Sequence, residues 1–214
     1  MSELVFYTNP QSRGRIVHWM LEEIGMPYQT VWLSYGEDMK SPSYLAVNPM
    51  GKVPALQHNG KVVTEAAAIC AYLADCFEHP QLIPPAGDAR RADYYRWLFF
   101  AAGPLEMAAT AKGLGWQVAG DKSAMVGFGS YGDTLNALEK ALTPGPYVCG
   151  DQFTAADVYL GSSLGWGMMF GTIEKRAVFE RYVKRLCART AALKADRLNE
   201  EFQASQQKTS ANAV

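Results

Sequence analysis

Asn48-Pro49-Met50-Gly51-Lys52-Val53-Pro54-Ala55-Leu56 decides how the first half of the chain is read. The proline after Val53 stands at the mouth of an apolar strand and has no N–H to give to a ladder, so it marks an edge or a turn. A cis Val53–Pro54 bond predicts a turn that leaves the N–H and C=O of Val53 pointing outward. An extended peptide can add to such groups as an edge strand. An ordinary proline between loop and strand fits the same letters. Downstream, Val53–Gln57 and Lys61–Thr64 flank His58-Asn59-Gly60. Asn-Gly between two apolar runs predicts a hairpin. Thr64-Glu65-Ala66-Ala67-Ala68-Ile69 then opens a helix expected over 65–76, with Ile69, Tyr72, Leu73 and Cys76 on its inner face.

Upstream of that stretch, Leu4–Tyr7 is a short apolar run that predicts a buried strand, and Thr8-Asn9-Pro10-Gln11-Ser12 is rich in turn residues. The next segment carries Ile16, Met20 and Ile24 on one helical stripe with Val17 and Leu21 beside it, and ends at Gly25 and Pro27. Tyr28–Leu33 is β-branched and aromatic and reads as a second strand, parallel to the first across the helix. Residues 34–50 form a long polar connection. The order β, α, β, loop, β, β, α describes an α/β domain over residues 1–79. Three prolines and a glycine break regular structure at His79–Gly87, which predicts a linker over 80–88. Beyond it the chain reads as all-α, a helical domain over 89–204 with patterns at about 88–112, 122–142, 155–170, 174–187 and 189–203. Gly127, Gly129 and Gly132 weaken the second pattern. The small polar residues 205–214 predict a disordered tail.

Composition narrows the function classes. The 214 residues are 49% apolar and 19% charged, as for a packed globular protein. Lys and Arg number 20 against 21 Asp and Glu, which gives no electrostatic reason to expect nucleic acid or an anionic membrane as partner. No apolar run reaches the roughly 18 residues of a membrane span. Met1–Tyr7 enters a strand without a basic lead, so no signal peptide is expected. Cys70, Cys76, Cys149 and Cys187 form no Cys-x-x-Cys pair and suit no zinc site. Cys70 and Cys76 read as small core residues, and cytoplasmic localisation is the expectation.

Glu65 stands in the first turn of its helix, where a carboxylate complements the dipole. Simple capping explains that placement. So does a site in which Glu65 holds an ammonium while the helix N-terminus holds a neighbouring carboxylate, the two charges of an α-amino acid head. Asn48–Leu56 followed by Thr64–Ile69 resembles the glutathione-binding segment of cytosolic, bacterial-type glutathione S-transferases. Leu4–Tyr7, Arg13-Gly14-Arg15 and Met20-Leu21-Glu22-Glu23-Ile24-Gly25 resemble the first βα unit of that family. Gly150-Asp151-Gln152-Phe153-Thr154-Ala155-Ala156-Asp157-Val158 resembles its buried helix start, a capping box with Thr154 at N-cap and Asp157 at N3. The resemblance spans about residues 1–203.

The resemblance implies a thioredoxin-like N-terminal domain that binds glutathione as co-substrate, a helical-bundle domain that supplies a pocket for a small hydrophobic electrophile, and a homodimer. It implies that the Val53 backbone, beside Pro54, pairs with the cysteinyl part of glutathione, that Glu65 and the Ala66 backbone take the γ-glutamyl head, and that Lys40 and Lys52 reach the glycyl carboxylate. Many relatives have Ser where this chain has Ala66, so one side-chain contact is missing. The activating residue has rival candidates. A thiol has an unperturbed pKa of about 8.5, and a hydroxyl donating to sulfur favours the thiolate. Ser12 stands in the loop before the first helix and also gains its positive end. Tyr7 ends the strand, six residues before Arg13, whereas the tyrosine of tyrosine-type relatives stands closer to that sequence. A backbone or Asn9-centred site is the third option. Ser12 equally fits a helix N-cap, and Tyr7 a core aromatic. Pro104, Met107, Ala108 and Trp166 are the candidate pocket lining, each also readable as core. His18 and His58 read as surface or satisfied residues, and no metal is expected. The function so implied is attack of a glutathione thiolate on an electrophile, in detoxification. A non-catalytic protein binding glutathione or hydrophobic ligands, and a glutathione-dependent peroxidase, are the alternatives.

Overall fold

A computed structural model describes residues 3–77 and 81–211, the last three without their side chains. The chain divides into two compact units: residues 1–77 with 188–214, and residues 78–187.

In the first unit, β1 (Leu4–Thr8), β2 (Gln29–Trp32), β3 (Ala55–His58) and β4 (Lys61–Thr64) form one sheet in the order β2-β1-β3-β4. β1 and β2 are parallel, and β3 runs antiparallel to both β1 and β4. Asn59 and Gly60 turn the β3–β4 hairpin with φ of 49° and 78°, the left-handed pair that Asn-Gly supplies. The helices of this unit are α1 (Gly14–Ile24), α2 (Pro42–Leu45), α3 (Ala66–Cys76) and the last helix of the chain, α9 (Thr190–Ala211). α1 ends on Gly25 at φ 70°, whose N–H returns to the Leu21 carbonyl at 3.0 Å. The sequence predicts one apolar stripe on α1, yet Ile16–Leu21 are all buried, His18 and Trp19 included. The second covered face is explained by α9, which packs along α1.

α9 corrects two expectations. Residues 205–211 are helical, so no disordered tail begins at Ser205, and residues 212–214 lie outside the description. The helical domain does not run to 204, because α9 belongs with the first unit through long-range pairs. Arg189 grips Glu23 at 2.6 and 2.8 Å, Arg15 meets Asp196 at 2.9 Å, and Phe202 stacks on Trp32 with centroids 4.1 Å apart. Cys70 is buried as expected, but Cys76 is exposed and not a core residue.

The second unit holds α4 (Arg91–Phe100), α5 (Glu106–Leu114), α6 (Tyr131–Leu142), α7 (Ala155–Phe170) and α8 (Ala177–Cys187). A π-type turn over Ala101–Leu105, containing Pro104, joins α4 to α5. That wider turn takes in the missing proline N–H without ending the helix. α6 starts only at Tyr131, capped by the Ser130 hydroxyl, so the expected helix from 122 is shortened by the glycines at 127 and 129. Residues 81–88 of the expected linker have no helix or strand, nor do 89 and 90 after it, and residues 78–80 lie outside the description. α7 is the buried core helix. A Cβ at Gly161 would sit 2.3 Å from Leu186, and one at Gly167 would sit 2.3 Å from Ile173, so both glycines let neighbours touch the helix backbone. Its start is the expected capping box. Asp157, fully buried, accepts from the N–H of Thr154 at 2.9 Å and of Val148 at 2.8 Å, and from the Tyr182 hydroxyl at 2.8 Å.

Candidate functional site

Register fixes the site. Tyr7 is the Cα partner of Ala55, and Ala55 is the partner of Thr64. One row across three strands therefore places three connections at the same end of the sheet: the Asn9–Arg13 loop after β1, Val53–Pro54 before β3, and Glu65–Ala66 after β4. Because β2 is parallel to β1, its own exit, the chain leading to Lys40, leaves from that end too.

Each connection is pinned locally. Asn9 donates from Nδ2 to the Leu33 carbonyl at 2.7 Å and accepts the Gln11 N–H on Oδ1 at 2.9 Å. Ser12 is buried; its hydroxyl donates to the Asn9 carbonyl at 2.7 Å and accepts the Gly14 N–H at 2.9 Å. Ser12 thus closes the turn into α1, although the N-cap residue of that helix is Arg13 and not Ser12. Gly14 is required by close approach: a Cβ there would stand 1.9 Å from Thr8 Oγ1 and 2.9 Å from Ser12 Oγ. Tyr7 is half-buried on the sheet face opposite Phe6, with its hydroxyl 3.2 Å from Gln57 Oε1 and its ring 5.6 Å from that of Tyr44.

Residues 48–52 wrap round the buried Asn48. Its Nδ2 and the Tyr44 hydroxyl both donate to the Lys52 carbonyl at 2.7 Å. Burial pushes the Tyr44 phenol up to about 12, so it stays a donor at neutral pH. Gly51, at φ 57°, leaves room for the Lys40 ammonium, which donates to the Met50 carbonyl at 2.9 Å. Lys40, the exposed Lys52, Val53 and Pro54 are thereby brought together. The Val53–Pro54 bond is cis. Among the described residues, the Val53 N–H and C=O have no backbone partner.

Glu65 has φ 65° and ψ 116°, a region that L-residues seldom adopt. Its exposed side chain makes no capping hydrogen bond, which removes the simple capping account of this residue. Glu65 is the N-cap residue of α3, and Ala66 begins the helix with its methyl buried. In the second unit, Pro104 lies in the π-type turn, half-exposed Met107 and buried Ala108 open α5, and Trp166 is part-buried on α7. The described residues hold no group of three or more His, Cys, Asp and Glu suited to a metal. No helix among them is long and apolar enough to cross a membrane. The role of Asn9 is not legible in the sequence beyond the turn it marks, because its amide bonds the Leu33 carbonyl of a distant segment, and that of Gly14 depends on the close approach of the Thr8 and Ser12 side chains.

Comparisons with known proteins identify the family and the fold. A model of the glutathione S-transferase N-terminal domain matches residues 12–76, and one of the C-terminal domain matches residues 126–166. The chain is 34% identical over 124 residues to glutathione S-transferase GstA of Escherichia coli O157:H7, covering 58% of this chain and 61% of that protein's length. A glutathione transferase structure from Methylococcus capsulatus superposes with TM-score 0.74 at 30% identity, covering 92% of this chain and 98% of that one. A sphingomonad glutathione S-transferase complexed with glutathione superposes with TM-score 0.71 at 26% identity, over 92% and 98% of the two chains.

Proposed function

Because the chain belongs to the glutathione S-transferase family, we propose that it binds glutathione at the sheet end described above and directs the thiolate at a small hydrophobic electrophile. One observation supports the reading: the Tyr7–Ala55–Thr64 row brings the connections that carry Ser12, Val53 and Glu65 out at one end of the sheet. Val53 presents an N–H and a C=O with the alternation of an edge strand, so the cysteinyl residue of glutathione adds there. Glu65 takes the γ-glutamyl ammonium and the first N–H groups of α3 take its carboxylate. Lys52 and Lys40 receive the glycyl carboxylate. The thiol so placed lies toward the start of α1, where Ser12 stabilises the thiolate, with Tyr7 as the rival donor. The sulfur lone pair then forms a C–S bond to the electrophile, and the displaced group leaves with its bonding pair or, in an addition, the carbanion takes a proton. Pro104, Met107, Ala108 and Trp166, in the second unit, are the residues proposed for the hydrophobic electrophile. The working state is a cytoplasmic homodimer, and the role is detoxification.

Two features favour a non-catalytic ligand carrier as the second reading. The Ser12 proton is already given to Asn9, and Ala66 lacks a hydroxyl. Turnover measured with and without glutathione across aryl halides, epoxides, enones and hydroperoxides decides between them. Glutathione-dependent consumption of any of the first three supports the transferase. Consumption of hydroperoxides alone makes the protein a peroxidase. Binding of glutathione without turnover of any class leaves the carrier.

A further inference from the structure

His18, on α1, is 1% exposed and is enclosed by the rings of Phe6, Tyr28 and Trp32, with centroids 5.4, 5.8 and 5.8 Å away. Its Nδ1 lies 2.9 Å from Nδ2 of Asn199, which is itself buried on α9. The orientation of that amide is fixed by a second contact, since Nδ2 also donates to the Ala195 carbonyl at 2.7 Å and a carbonyl can only accept. The remaining N–H of Asn199 therefore faces His18 Nδ1, which must accept it. The ring is neutral and carries its proton on Nε2. Oδ1 of Asn199 is buried and has no partner among the described residues.

We infer that His18 and Asn199 form a proton-sensitive latch, holding α9 on α1 while His18 is neutral and releasing it when His18 takes up a proton. A proton on Nδ1 sets two donors against each other. Turning the amide would aim Oδ1 at the ring, but it gives up the bond to the Ala195 carbonyl and sets two oxygens against each other at that contact. Parting the helices relieves the conflict and hydrates the cation.

Burial lowers the His18 pKa. The Asn199 bond would favour the charged ring only if the ring were the donor, which the Ala195 carbonyl excludes. Glu22 on the same helix pulls the pKa up, while Arg15 beside it and Lys194 on α9 push it down. Tyr28, ahead of β2, donates to Glu22 and is kept protonated by burial and by that carboxylate. Phe6 and Trp32 carry no charge. The other pins between the helices are the ion pairs Arg15–Asp196, Lys194–Glu22 and Arg189–Glu23. His18 is the imidazole of this contact, the side-chain type whose ordinary pKa lies between about pH 5 and 8. A pKa depressed in the docked state means that docking is complete above the free value of about 6.5 and is lost as pH falls through the docked value. One pH unit below 6.5, the released state gains at most about tenfold.

The test is amide hydrogen exchange of the full chain between pH 7.5 and 5.5, corrected for intrinsic chemistry. The expected result is a loss of protection in residues 190–211 approaching tenfold, with α3 and α7 unchanged. In His18→Gln the amide oxygen accepts from Asn199 without titrating, so α9 protection becomes independent of pH. In Asn199→Asp the carboxylate prefers a charged ring, so protection of α9 rises as pH falls. The latch is overturned if His18→Gln keeps the parent's pH dependence, if Asn199→Asp slopes the same way as the parent, or if all elements lose protection together. None of these readouts depends on glutathione chemistry.

Discussion

Ser12 and Glu65 carry different tasks in the proposed site, where the hydroxyl would adjust a charge on sulfur and the carboxylate would hold a ligand in place. Ser12 must turn its proton from the Asn9 carbonyl to the thiolate, exchanging a neutral bond for a charge-assisted one. Ser12→Ala is expected to raise the pKa of bound glutathione toward the free thiol value of about 8.5, with a turnover loss that is large at neutral pH and shrinks at high pH. Thiolate absorbance against pH reads this directly. Tyr7→Phe is the matched control: a shift there, with none in Ser12→Ala, transfers the role to Tyr7, and no shift in either assigns it to Asn9 or to backbone N–H groups. Glu65→Ala removes the ammonium partner and leaves the start of α3 intact. Glutathione affinity should fall by about 1.5–3 kcal/mol, the range for a charged hydrogen bond. Unchanged affinity in a calorimeter would remove Glu65 from the site.

The elements that sequence periodicity describes well are those whose faces are settled by their own residues. The Asn59-Gly60 hairpin, β4 at Lys61–Thr64 and α7 at Ala155–Phe170 fall where the turn residues and the capping box put them. Legibility fails where a partner distant in sequence decides. Helix α9 carries the polar Asn199 buried against His18, and its exposed Asp196 pairs with Arg15. The same long-range packing buries His18 and Trp19, which no stripe on α1 foretells. At the site, the Asn48–Leu56 motif and Glu65 were legible because turn chemistry is local. The hydrogen bond that occupies Ser12 was not, because the side-chain rotamer is invisible in sequence. The capping box of α7 offers a test at this scale. Asp157→Ala would leave the Val148 and Thr154 N–H groups and the Tyr182 hydroxyl unpaired in a dry interior. A loss of about 3 kcal/mol or more is expected, from several buried donors at about 1–3 kcal/mol each. Thr154→Ala should cost about 1 kcal/mol, as for a lost N-cap. Urea midpoints report both, and equal losses in the two variants would contradict Asp157 as the hub.

At the scale of the whole molecule, the open question is what covers the exposed apolar residues. On α4, Phe99 is 69% exposed with Tyr95 beside it at 40%, their rings 6.5 Å apart, while Tyr94, Trp97 and Leu98 on the same helix are buried. Large neighbouring aromatics on one helix face, left open when its other face is packed, mark an association surface. The proposed homodimer supplies a self-complementary cover, because a two-fold axis sets the same patch against itself. Light scattering at micromolar concentration should then give a mass about twice the 23.5 kDa of one chain. Phe99→Asp places a charge at the centre of the patch, where a second copy would bury it beside its own symmetry mate. It should shift the mass to that of one chain without changing the helix content seen by circular dichroism. A parent protein that scatters as a single chain sinks the dimer. A dimer that survives Phe99→Asp moves the interface to another face.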